Sequence, residues 1–138
     1  MFQLPFPVRD ANASSGSGDL GKLPEWDLSD LYTGEDAPEL SRDLDWLQKE
    51  CAGFAADYEG KLADLDADGL LTCVHRNEKI NNIAGRIMSY AGLRYYQLTT
   101  DADRAKFLSD VQEKVTIFTT PLVFFTLEIN RIEDVTLD

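Results

Sequence analysis

The chain has 138 residues, enough for one domain that buries roughly two thirds of its unfolded surface. Its 25 acidic and 13 basic side chains give a formal net charge of -12, which repels phosphate backbones and anionic head groups and so argues against nucleic acid and membrane surfaces as partners. Cys51 and Cys73 each sit within a helical pattern and form neither a CxxC nor a disulfide framework, the usage of a reducing compartment. Met1 to Val8 has no positive start and is broken by Pro5 and Pro7, and the uncharged run from Ile117 to Leu127 is too short for a bilayer. The expectation is a soluble, cytoplasmic protein with an all-α fold: an antiparallel bundle of about three long helices.

Residues 1–22 have a linker composition around Asn12 to Asp19, with little to bury, and are expected to form a disordered tail. Residues 23–138 form the expected helical domain. Its first part, Leu23 to Tyr32, carries Trp26, Leu28, Leu31 and Tyr32 among turn formers and reads as an extended aromatic strap across the helices. Gripping a ligand with Trp26 is the lesser reading. Asp36 is a candidate cap for the first helix, with Pro38 in its first turn. Leu40, Leu44, Leu47, Cys51, Phe54 and Tyr58 then form a narrow seam at steps of four and three, with Arg42, Asp43, Asp45, Lys49, Glu50 and Asp57 on the opposite face. Gly60 ends that helix.

Asp66 to Gly69 marks the start of a second helix, expected to run from about Gly69 to Leu98. Ile80, Ile83, Ala84, Ile87, Met88, Tyr90, Ala91, Tyr95 and Leu98 spread over nearly half its circumference, the pattern of a helix placed mid-bundle. Gly85, Ser89 and Gly92 form a small-residue patch where another backbone is expected to pack tightly. Thr99 to Asp101 makes a short turn, with Thr100 or Asp101 capping the final helix.

That helix, Asp101 to Asp134, places Leu108, Val111, Val115, Phe118, Leu122, Phe125, Ile129 and Ile132 on one seam. Pro121 lacks an amide donor and its ring collides with the Ile117 carbonyl, so a kink is expected. The β-branched run Val115 to Thr120 leaves open a rival reading, a hairpin turning at Thr120-Pro121. Ile117, Val123, Phe124 and Leu127 point off the seam, making this part apolar all round. The expectation is a helix that docks against more protein than the chain contains.

Little in the sequence can carry chemistry. His75 is the only histidine, and its neighbours Arg76, Asn77, Glu78 and Lys79 supply no HExxH pair, so it reads as a solvated surface residue. There is no phosphate loop or nucleophile elbow. The acid clusters Asp64 to Asp68 and Asp101 to Asp103 read as helix starts rather than calcium loops. No catalytic, metal or cofactor-binding residue is assigned.

Three stretches nonetheless form a family likeness. Leu23-Pro24-Glu25-Trp26-Asp27-Leu28-Ser29-Asp30-Leu31-Tyr32, then Tyr90-Ala91-Gly92-Leu93-Arg94-Tyr95 leading to Thr99-Thr100-Asp101, then Leu122-Val123-Phe124-Phe125-Thr126-Leu127-Glu128 resemble, in order and spacing, the amino-terminal region of oligoendopeptidase F, one of the thimet-like zinc metallopeptidases. The resemblance implies a large helical cytoplasmic enzyme that cuts internal bonds of short peptides, with its zinc and HExxH outside these residues and these helices forming one wall of a peptide channel. Its implied partners are the remainder of the peptidase chain and oligopeptide substrates; Tyr90, Tyr95 and Tyr96 are candidates to line the channel, with core packing at least as good a reading of the first two. The alternative is a non-catalytic interaction module that forms a homo-oligomer through the Leu40 to Tyr58 and Leu108 to Ile132 seams.

Overall fold

The computed structural model describes residues 27–136; the tail and the part of the strap up to Trp26 lie outside them. Four α-helices follow one another: α1, Pro38–Tyr58; α2, Ala67–Gln97; α3, Ala102–Thr119; and α4, Val123–Thr136. One-turn 3-10 helices lie at Leu62–Asp64 and Thr120–Leu122. The second joins α3 to α4, so three long rods pack as an all-α bundle. The described end of the strap turns rather than extends, with the Leu31 and Tyr32 amides donating to the Leu28 carbonyl.

Local chemistry sets each helix start. Asp66 caps α2 by accepting from the Gly69 amide at 2.8 Å, and Asp101 caps α3 by accepting from Asp103 and Arg104 at 2.9 and 3.2 Å. The expected Asp36 cap of α1 is a miss: Ala37 is the cap residue, with no side-chain bond. The residue before a proline is driven to extended backbone, and Ala37, at ψ 132° and buried in the core, already is extended. Gly60, at φ +75°, reverses the chain after α1, a conformation that glycine adopts without steric cost.

The core forms where the seams meet. Leu40, Leu47, Cys51 and Phe54 of α1, Cys73, Ile80, Ile87, Tyr90 and Ala91 of α2, and Val111 and Val115 of α3 are buried in one cluster with Tyr32 and Leu62. Phe54 is its centre at the α4 end, with ring contacts to Tyr58 at 4.9 Å, Phe125 at 5.7 Å and Phe124 at 6.0 Å.

At Pro121 the helix passes through a single 3-10 turn and continues without turning back, so the hairpin is not formed. The hydroxyls of Thr119 and Thr120 donate to the Val115 and Thr116 carbonyls at 2.8 and 2.7 Å, binding the disturbed turn to the helix before it. This turn corrects one expectation. Of the four residues placed off the seam, Ile117, Val123 and Leu127 are 59, 62 and 56% exposed, but Phe124 is buried at 8%. A 3-10 turn advances about 120° per residue against about 100° in an α-helix, so three residues shift the phase by about 60°. Phe124 thereby swings towards Phe54.

One further expectation changes. The small-residue patch packs against nothing within the described residues: Gly85 and Ser89 are exposed, and a methyl group at Gly85 would meet no atom within 4 Å. The stretch from Ala102 to Ile132 is, by length and composition alone, apolar enough to span a bilayer, with a mean hydropathy of 1.2 in its most apolar window. The uncharged run alone was too short, but the helix continues past it on both sides.

Candidate functional site

The strap, α2 and the start of α3 enclose a polar pocket of about 270 Å³, lined by Asp27, Ser29, Tyr32, Tyr90, Arg94 and Arg104 among others. Tyr32 is its keystone. The ring meets Tyr90 edge to face at 5.4 Å, and its hydroxyl donates to Asp43 Oδ2 at 2.7 Å. The Arg86 guanidinium lies 4.8 Å from the ring centre and also donates to the Leu31 carbonyl at 2.6 Å, fastening the strap to α2. Tyr90 in turn stands edge to face with Phe107 of α3 at 6.1 Å.

The pocket's cations are engaged. Arg94 Nε donates to Glu35 at 3.3 Å, and Arg104 Nη1 donates to the Arg94 carbonyl at 3.2 Å while its Nε lies 3.8 Å from Asp101. Burial raises the pKa of the Tyr32 phenol, as does its bond to Asp43, and burial raises that of Tyr90. Both are therefore neutral near pH 7. The pocket can hold polar groups in place through these side chains.

The remaining candidates are placed as follows. His75 is exposed on α2, as a solvated residue should be, whereas its neighbour Arg76 is half-buried. Arg76 turns into the α1/α2 contact, pairing with Glu50 and, at 2.6 Å, with Asp57, while its guanidinium lies 5.8 and 5.6 Å from the Phe54 and Tyr58 ring centres. Sequence periodicity gives no sign of this, because the two acids stand on the charged side of α1. Trp46 was also missed: it is half-buried beneath the Lys79 ammonium, 5.1 Å from its ring centre. Cys51 and Cys73 are free and buried, and burial pushes the Cys51 thiol up to about 11, too high for a reactive thiolate at neutral pH. Among the described residues no three His, Cys, Asp or Glu side chains form a group that could hold a metal.

Of the three tyrosines offered to a channel, Tyr90 is buried, Tyr95 is half-buried and Tyr96 is 66% exposed. Tyr96, with Met88, Ser89, Gly92 and Leu93, lines an open apolar depression of about 410 Å³ on α2. Glu128 of α4 reaches across to the turn after α1, accepting from the Gly60 and Leu62 amides at 2.5 and 3.3 Å. The geometry defines the class as an all-α helical bundle. No family model, curated protein or solved structure matches the chain.

Proposed function

We propose that the chain is the amino-terminal helical domain of a zinc-dependent oligoendopeptidase that hydrolyses internal bonds of short peptides. It forms one wall of the substrate channel and does not itself contain the catalytic HExxH. The reading rests on the three family-like stretches, and one observation carries it: two of them, separated by some sixty residues of chain, converge on a single pocket. Leu28, Ser29 and Tyr32 of the first face Tyr90 and Arg94 of the second there. The third stretch supplies Phe124 and Phe125 to Phe54, and Glu128 to the turn after α1. On this reading the apolar depression around Tyr96 is the surface offered to a peptide side chain.

Among the described residues the lone histidine stands exposed and away from any group of three metal-ligating side chains, so no chemical step is assigned to them. The test is to express the gene's whole reading frame and assay hydrolysis of internally quenched short peptides. The expected result is cleavage that a chelator stops, with residues 1–138 alone inactive and free of stoichiometric zinc. A reading frame with no HExxH, or one zinc held tightly by residues 1–138, removes the proposal.

One observation favours a second reading, a non-catalytic module that self-associates. The seams themselves are taken up inside the bundle, with Leu47, Cys51 and Phe54 fully buried, but the outer side of α3 and α4 keeps Ile117, Val123 and Leu127 in water. That side is the surface such a module would use.

A further inference from the structure

We infer that a second copy of this chain covers the outer stripe of α3 and α4, with the two stripes running antiparallel. The inference rests on the second reading for its surface and is independent of the peptidase reading. Ile117, Val123 and Leu127 lie on the exposed side of the rod that α3 and α4 form, and no charged residue occurs between the first and the last of them. Exposed Thr116, Thr120 and Pro121 complete a band without charge.

Beyond Lys114 and Glu128, the nearest charges and the second of them taken by the turn after α1, two charges in line with the band select the partner. Glu113 lies one helical turn before Ile117, and Arg131 one turn after Leu127, so both continue the same stripe. Both are exposed, and neither makes an ion pair among the described residues. A two-fold axis near Leu122 sets Ile117 of one copy against Leu127 of the other, since the two residues stand five positions either side of it. The same axis sets Glu113 against Arg131, nine positions either side, and does so twice. A parallel pairing would instead place Glu113 against Glu113 and Arg131 against Arg131, which is repulsive. The surface is thus complementary to itself in one orientation, as a two-fold interface requires. The net charge of -12 on each copy opposes association, so the contact is expected to be reversible and to depend on concentration.

Sedimentation velocity over about a hundredfold range of protein concentration, at roughly 0.15 M ionic strength, tests this. The wild-type chain is expected to shift from monomer to dimer. Val123→Glu puts two like charges beside the axis and is expected to weaken the dimer at least about tenfold, with the helical circular dichroism unchanged because the residue faces water. Leu127→Lys, a second exposed site, is expected to do the same should the first variant fold poorly. Glu113→Arg and Arg131→Glu should each weaken association, and the double variant should restore it, which a general hydrophobic stickiness would not do. A monomer at every concentration overturns the inference. So does a dimer indifferent to Val123→Glu, failure of the double charge swap to restore association, or a monomer that partitions onto neutral phosphatidylcholine vesicles through this stripe. None of these outcomes bears on whether an HExxH follows in the reading frame.

Discussion

Replacing Arg76 by alanine is the sharpest probe of how α1 and α2 are held together. The guanidinium joins Glu50 and Asp57, and it stacks within 6 Å of the Phe54 and Tyr58 ring centres. The contributions differ in weight. Asp57 has a side chain 58% exposed, so its pair is worth at most about 1 kcal/mol after solvent screening. Glu50 is only 22% exposed, and a charged hydrogen bond in such a place contributes about 1.5–3 kcal/mol. The two ring contacts add about 0.5–1 kcal/mol each. Because these terms share one side chain they do not add in full, and a loss of about 2–4 kcal/mol is expected for Arg76→Ala. Urea unfolding followed by circular dichroism reads it directly, and the midpoint should fall with the slope unchanged. A double-mutant cycle with Glu50→Ala separates the half-buried pair, with an expected coupling above about 1 kcal/mol. A loss below about 0.5 kcal/mol for Arg76→Ala would refute the reasoning and leave the cluster a solvated surface feature.

Phe54→Ala removes the ring on which Tyr58, Phe124 and Phe125 converge and should cost about 3–5 kcal/mol by the same unfolding assay. Glu128→Ala frees the Gly60 and Leu62 amides, so hydrogen exchange should quicken in α4 and in the turn after α1 while the centre of α2 keeps its protection. Gly85→Ala should raise stability by up to about 1 kcal/mol, because the added methyl meets open space and the helix gains propensity; a loss would show that the patch is in contact after all. Alkaline pH should destabilise the fold. Burial lifts the Cys51 thiol from 9.0 to about 11, so between those values the folded state retains a proton that the unfolded state releases. Stability is therefore whole below about pH 9 and falls as the pH rises towards 11, and Cys51→Ala should flatten part of that slope in urea midpoints measured across the range.

Much of the architecture could be read from local signals. The steps of three and four in each apolar seam, the acids at Asp66 and Asp101, and Gly60 fix where the rods start and stop, because helix periodicity and capping depend on neighbours a few residues away. Those same signals decided that the β-branched stretch before Pro121 stays helical. What they could not supply is the phase beyond an irregular turn or the choice of a partner across space. Only the folded bundle turned Phe124 inward, because a 3-10 turn at Pro121 rotates everything after it against Phe54. It alone drew Arg76 off the surface, because Glu50 and Asp57 of another helix face it. The meeting of Tyr32 with Tyr90 was likewise decided there, since a contact between residues so far apart in the chain exists only once the helices have packed.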